Sequence, residues 1–597
     1  MKCGIEIHQR LETHKLFCNC KSSVGADNKS SSITRKQRAV AGELGGIDPA
    51  ALHEFMRKRT FEYQTFPESS CLVEIDEEPP HELNAEALAT VLQVCLMLNA
   101  RIVDEVHVMR KTVIDGSNTS GFQRTAIVGT SGYLETSAGR VEIPTICVEE
   151  ESSGIVGEES GKIMYRLDRL GIPLIEIATS PSIVSPEHAK EVAEKIGMLL
   201  RATGKVQRGI GTIRQDLNVS VDGGARVELK GVQELALISK YVHNEIERQK
   251  KLIEINQELK KRFGEKLEFS GEIRDVSVLF KNTQSKMLKG ALDSKGAIFA
   301  MKLPNFLGLL GRELYENRRF GTELSDYAKS IAGVRGIMHS DENLEKYGIT
   351  SEEKEKLKVE LKVSPSDAFV VVAAEAERAK KALQVVYERA KFGTVPKETR
   401  KALPDGGSAY MRPLPGSARM YPETDIPPVR VTARVLEAFR KNLPESPEQK
   451  KKKLEGVLNE ELSRKIMASR SLLLFEKIIG RLKVDPSIVA VTLEETLVSL
   501  KREGVQIENI KEEKLYSLFE CYARGLFVKA AIPEILKFIA KMPAVEVESA
   551  IKELNIGKIS GKELKKIADE EKKDMKGIMA KYRLRVDAGE VAKLLNK

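Results

Sequence analysis

The sequence predicts an α+β protein: a mixed α/β domain, an α+β unit inserted within it, an all-α helical domain and a small helical tail. Three observations carry this. Short segments of period two, separated by Gly- and Asp-rich turns, fill residues 1–270. That style resumes at 393–431, after a segment, 271–392, with strands and helices of its own. Beyond Val431 the pattern is almost wholly helical, in units at 432–530 and 535–597 with Pro533 and Pro543 near the boundary.

In chain order, Gly4 to His8 alternates, with Ile5 and Ile7 on one face and Glu6 and His8 on the other. Asn84 is an N-cap for a helix over Ala85 to Leu98. A strand at Val106 to Val108 leads to Arg110-Lys111, and a hairpin is expected around Ser131-Gly132. The run Ile146 to Gly154 holds Glu149-Glu150-Glu151, and a strand through Ile175-Glu176-Ile177 follows the turn at Arg169 to Gly171. Pro186 opens a helix to about Thr203.

The hairpin Ile213 to Gly231 is the centre of the pattern. Leu217, Val219 and Val221 share one face; Asp216, Asn218 and Ser220 share the other. A three-residue loop, Gly223 to Ala225, keeps the valine face dry and pairs Ser220 with Glu228 and Asn218 with Lys230. A charged amphipathic helix runs from Glu234 to about Phe263. The insertion is expected to hold strands Val276 to Phe280 and Phe369 to Ala373 and helices Thr322 to Gly333 and Glu375 to Arg389. Gly308 to Gly311 lacks a following Lys-Ser/Thr, so it makes no phosphate loop.

Composition excludes several classes. With 41% hydrophobic and 31% charged residues and no apolar run near the roughly 18 needed for a bilayer, the chain reads as soluble, without membrane association, and cytoplasmic. Seven cysteines, an odd number, fit a reducing compartment. The net charge of +9 is mild, and the tail from Lys541 has 14 Lys/Arg against 10 Asp/Glu. With no Trp and 5% aromatics, contact with nucleic acid would rest on shape and phosphates.

Glu6, His8, Glu150, Glu151, Glu176, Asp216, Asn218 and Glu228 all fall on strands or strand ends of the first domain. Gathered carboxylates repel and recruit divalent cations; Mg²⁺ suits oxygen ligands that leave room for water and phosphates. Arg110, Lys111, Arg169, Arg214 and Lys230 interleave with the acids and could hold phosphate or carboxylate oxygens. The residues alone leave two alternatives: a Mg²⁺-dependent phosphoryl-transfer enzyme or a solvated polar surface. Cys18, Cys20 and Cys71 supply three soft donors where a structural zinc site wants four, so zinc is not expected.

Gly4-Ile5-Glu6-Ile7-His8 with Lys15 to Cys18, Arg169 to Ile177, Arg214 to Ser220, Glu228-Leu229-Lys230 and Tyr421 to Pro428 resemble the signature of the GatB/GatE family, the synthetase-like components of tRNA-dependent amidotransferases. The resemblance covers about 1–270 and 394–597; the insertion resembles the GAD domain of bacterial-type aspartyl-tRNA synthetases. It implies a cradle domain with a kinase and transamidase site, then a helical domain and a tail that grip tRNA. The implied reaction converts Glu-tRNA(Gln) to Gln-tRNA(Gln), using ATP to phosphorylate the γ-carboxylate and ammonia to displace the phosphate. The implied partners are tRNA(Gln) charged with glutamate and an asparaginase-like glutaminase, in a hetero-tetramer with two copies of each protein. Position by position, the resemblance implies metal binding by Glu6, His8, Glu150, Glu151, Glu176, Asp216 and Glu228. Lys230, Arg214 and Asn218 are the candidate catalytic residues; Arg110, Lys111, Arg169 and Ser220 are the candidate ATP contacts. A tRNA-binding scaffold without chemistry is the alternative.

Overall fold

The structure is a computed structural model, describing residues 1–595 except 26–27, 42–44, 160, 265–268, 393, 415, 417–419 and 572–573. Gly393, at the expected close of the insertion, and the last two residues of the expected tail lie outside the described residues. The chain divides into two compact units, Met1–Pro444 and Glu445–Lys597. No helix among the described residues is long and apolar enough to cross a membrane.

The first unit is built on one large sheet. Along its main path run β1 (Lys2–Arg10), β2 (Val108–Thr112), β3 (Phe122–Thr136), β4 (Gly139–Glu150), β5 (Pro173–Ala178), β6 (Ile213–Ser220), β7 (Val227–Val232), β8 (Glu398–Ala402), β9 (Ser408–Pro413) and β10 (Met420–Pro422), and off that path the short strand Arg101–Ile102 pairs with β3. They lie in the order β9-β8-β7-β6-β1-β5-β4-β3-β2-β10, so the segment after the insertion closes both edges. All the described pairings along this path are antiparallel except β7 with β8, which is parallel. One face carries the apolar residues, with Ile5, Ile7, Ile175, Ile177, Leu217 and Val219 fully buried. Helices α1 (Ala85–Met97), α2 (Pro186–Ala202) and α3 (Ile238–Phe263) contribute to the same core. Asn84 caps α1 as expected, its side chain accepting from the Glu86 and Ala87 amides.

The insertion holds helices α4 (Phe320–Ala332) and α5 (Ala376–Phe392) and a small sheet of Ile273–Asp275, Ala297–Leu303, Ala368–Ala374 and Met338–His339. The expected strand at Val276 to Phe280 is instead a 3₁₀ turn over Ser277–Phe280 that buries Phe280. The turn at Gly308 to Gly311 wraps a carboxylate of the chain itself: the Leu310 and Gly311 amides donate to Asp341 at 2.9 and 3.1 Å.

Three further expectations need correction. Ser131-Gly132 lies within β3, and the chain reverses at residues 137–138. Its glycine serves close packing, since a Cβ at Gly132 would lie 2.9 Å from the Leu98 carbonyl at the end of α1. The central hairpin pairs Asn218 with Glu228 and Val219 with Val227, two residues from the expected register. Val221 leaves the ladder because its amide donates to the Gln249 side chain of α3 at 3.2 Å. A shift of two preserves both faces, so the same residues still point to the site. The helical boundaries also move. Ala433–Lys441 belongs to the first unit, where Leu436 and Phe439 pack against its core, and Pro533 occupies the first turn of the helix Ile532–Lys541. In the second unit one apolar core spans Leu454 to Ile556 and another Ile559 to Val591, so the division falls near residue 557.

Between α3, α4, α5 and β8 lies a fully buried ionic cluster. Arg248 pairs with Glu245 at 2.8 Å, Glu323 at 2.6 Å and Glu398 at 3.4 Å; Arg400 pairs with Glu323 at 3.0 Å and Glu398 at 2.6 Å; Arg389 reaches Glu323 at 3.3 Å. Such a cluster is costly to break singly, because the remaining charges stay buried without compensation. Glu323→Gln is expected to lower the unfolding free energy of the first unit by about 3–5 kcal/mol, read from urea unfolding followed by circular dichroism.

Candidate functional site

The polar face of β1, β5, β6 and β7 opens onto a cavity of about 450 Å³. Antiparallel register brings distant acids together: Glu6 lies opposite Asp216, His8 opposite Glu176, and Asn218 opposite Glu228. Donor atoms of Glu6, Asp216 and Glu228 lie within 4.8 Å of one another, as do those of His8, Glu149 and Glu176.

Cations hold these acids in place. Lys230 Nζ donates to Asp216 at 2.6 Å and reaches Glu228 at 2.9 Å. A bulge at Asp216 turns its second oxygen to the Gly231 amide at 3.1 Å, and Asn218 Nδ2 donates to Glu6 at 3.3 Å. In the second group, Lys111 Nζ donates to Glu149 at 2.5 Å and stands 3.6 Å from Glu176, which is 3.1 Å from His8 Nε2. Burial, and then the nearby Glu176 charge, push the Glu6 carboxyl up to about 6. Burial works against the Lys230 ammonium, but Asp216 and Glu228 outweigh it and hold its pKa above the ordinary value.

Glu6, His8, Lys111, Glu176, Arg214, Asp216, Asn218, Glu228 and Lys230 all line the cavity. Four other expected residues take up different tasks, and a fifth, Ser220, lies at the end of β6 opposite Lys2, outside the cavity lining. Glu150 points to the opposite face, accepting the Arg124 amide at 2.8 Å. Adjacent strand residues alternate, so the acid of the Glu149-Glu150-Glu151 run that joins His8 is Glu149. Glu151 is buried among Arg10, Arg169 and Arg214; burial raises its pKa, but the three guanidiniums hold it below the usual range. Arg169 donates to the Ser152 and Ser153 carbonyls at 2.7 and 2.8 Å. Arg110, one residue from Lys111, faces away from the cavity, bonded to Glu423 and Asp425 over the Phe122 ring.

Two further acids take part: Glu423, inside the Tyr421 to Pro428 motif but with no role implied for it, and Glu74, which no motif marks. Glu423, just after β10, also accepts from Arg124 at 2.8 Å and so pins the returning segment to β2 and β3. Glu74 joins Cys18, Cys20 and Cys71, with the four donor atoms within 4.8 Å of one another. Its oxygens take the Cys18 thiol at 2.9 Å and the Cys71 amide at 2.7 Å. Three sulfurs and one oxygen supply the four donors that the cysteines alone lacked, which answers the objection to zinc.

Metal analysis of the purified chain is expected to find about one zinc per chain, lost in Cys20→Ser/Cys71→Ser. Burial alone would raise the Glu423 carboxyl, but the bonds from Arg110 and Arg124 hold it at about 2, below its ordinary 4.5. Its stabilisation is therefore complete above pH 4.5 and lost as pH falls toward 2. Glu423→Gln is expected to cost about 3 kcal/mol at pH 7, and urea titrations should show the gap to wild type closing below pH 4.5.

Comparison with known proteins agrees with this architecture. Residues 1–297 match the GatB/GatE catalytic domain, 288–383 the GAD domain and 473–596 the GatB domain. The chain is 46% identical to the E-type component of the glutamyl-tRNA(Gln) amidotransferase of Methanocaldococcus jannaschii over 576 residues, covering 95% of this chain and 91% of that protein. It is 48% identical to the corresponding protein of Pyrococcus furiosus over 574 residues, covering 96% and 90%. With relatives of this identity along nearly its whole length, and the family's catalytic-domain model matching the sheet that bears the acidic cavity, the chain belongs to the GatB/GatE amidotransferase family.

Proposed function

We propose that this chain converts glutamate esterified to tRNA(Gln) into glutamine, as one component of the multi-protein assembly that its relatives' names imply. ATP and the glutamyl-tRNA would meet over the acidic cavity. Ammonia would arrive from an asparaginase-like glutaminase partner, in a hetero-tetramer with two copies of each protein. The observation that carries the proposal is the convergence of Glu6, Asp216 and Glu228 with Lys230 and Lys111 in one open cavity.

The chemistry runs in two displacements. The γ-carboxylate oxygen bonds to the γ-phosphorus of ATP, and the bond from that phosphorus to the departing ADP breaks. Ammonia nitrogen then bonds to the acyl carbon, the bond to the phosphate oxygen breaks, inorganic phosphate leaves and the nitrogen gives up a proton. The first step is needed because a carboxylate is a poor acyl electrophile and an acyl phosphate a good one.

Hard oxygen donors at this spacing, with one side open, fit Mg²⁺; Glu6, Asp216 and Glu228 would hold it, with His8, Glu149 and Glu176 as a neighbouring donor group. When bound it supplies charge neutralisation between the two anions. Lys230 fixes two of the three carboxylates, and Asn218 orients the third. Lys111 and Arg214 line the cavity and offer positive charge to phosphate or acyl-phosphate oxygens. The basic excess of the tail suits the phosphates of tRNA.

The test is amidation of Glu-tRNA(Gln) by the purified chain with ATP, Mg²⁺ and ammonium chloride, which removes the need for a glutaminase. Wild type is expected to form Gln-tRNA(Gln), while Asp216→Ala and Lys230→Ala fall by about 10²-fold or more with native circular dichroism. Bound tRNA without amidation in wild type would instead favour the scaffold.

A further inference from the structure

We propose that Thr399 is a positioning residue for Glu228, and that the insertion holds Thr399 in place. This rests on the reading of Glu6, Asp216 and Glu228 as a cation site.

Glu228 reaches the cavity on a flexible side chain, and both its oxygens are engaged. Lys230 takes Oε1 at 2.9 Å; the Thr399 hydroxyl donates to Oε2 at 2.9 Å. Thr399 is fully buried and lies directly beside Glu228 in the parallel β7–β8 pair. The two contacts differ in kind. Lys230 competes with a bound cation for the carboxylate charge, whereas a neutral hydroxyl fixes orientation and leaves the charge intact. Groups that orient a metal-ligating carboxylate in this way govern affinity by about 10- to 100-fold.

Thr399 is set in turn by its neighbours on β8. Glu398 and Arg400 point away from it into the buried ionic cluster, and both are held there by α4 of the insertion. Tyr327 donates its hydroxyl to Glu398, and Glu323 pairs with Arg400 at 3.0 Å. Arg400 also pairs with Glu398 at 2.6 Å and donates to Ser408 Oγ on β9 at 2.8 Å. The insertion thus grips the strand residues on either side of the one that orients Glu228. A displacement of α4 would be felt at the cavity through β8, with no insertion side chain entering it.

The probe is Mn²⁺, titrated into the full chain without ATP or tRNA, with free ion followed by electron paramagnetic resonance. Thr399→Val, close in shape but without the hydroxyl, is expected to weaken Mn²⁺ binding about 10-fold while melting like wild type. Thr399→Ser should bind within about twofold of wild type, and Tyr327→Phe, which acts one contact further away, should weaken binding about threefold, less than the loss of a direct contact. Thr399→Ala, measured on folded material, replaces the valine variant should that one melt early. Binding that is lost in Glu228→Gln but unchanged in Thr399→Val overturns the inference alone. Equal losses in Thr399→Val and Thr399→Ser would make the residue a packing element and overturn it too, and wild-type affinity in Tyr327→Phe would remove the insertion's part. Wild-type binding that is absent, or indifferent to Glu228→Gln, overturns the cation site and the inference together.

Discussion

The mutual repulsion of carboxylates on one half-buried sheet face is the constraint that the rest of the first unit answers. Glu6, Asp216, Glu228, Glu149 and Glu176 stand within a few strands of one another, where weakened screening makes like charges expensive. The chain compensates incompletely. Lys230 and Lys111 serve two acids each, the Gly231 amide and the Asn218 side chain add dipoles, and the Glu6 carboxyl still sits above its ordinary range. That residual imbalance is the physical basis of the proposed cation site. A fully neutralised face would be more stable and chemically idle.

Elsewhere the same fold neutralises its acids almost completely. Glu151 is enclosed by three arginines, Glu423 by two, and Glu323 by Arg248, Arg389 and Arg400. These closed pairs tie strands and helices far apart in sequence, and they account for basic residues that composition alone would assign to phosphates. Arg110 and Lys111 show the division within one dipeptide: one clamps the returning segment, the other faces the cavity.

Most of the cavity was legible because alternation with Ile5, Ile7, Ile175, Ile177, Leu217 and Val219 told which face Glu6, His8, Glu176, Asp216 and Asn218 occupy. The three-acid run at 149–151 carries no such alternation of its own, so nothing local distinguished Glu149 from Glu150. Register at the hairpin was misplaced by two because the side chain of Gln249, on a helix nearly thirty residues away, takes the Val221 amide. Thr399 and Glu74 were invisible, and the task of Glu423 within its motif was unreadable, for a similar reason. Their meaning comes from long-range partners, Glu228, Arg124 and Cys18, that no period in the sequence connects.

The parallel pairing of β8 on β7 has a consequence for the order of events during synthesis. Val227 and Glu398 are partners in the ladder, yet everything from the central hairpin's exit to the end of the insertion must leave the ribosome between them. Contacts of such sequence separation form late, after the local units have folded. The acidic face is therefore synthesised with one edge open, and the strand that carries Thr399 emerges only after α4. A nascent chain whose insertion misfolds would carry a complete set of acids and no ordered place for Glu228 among them.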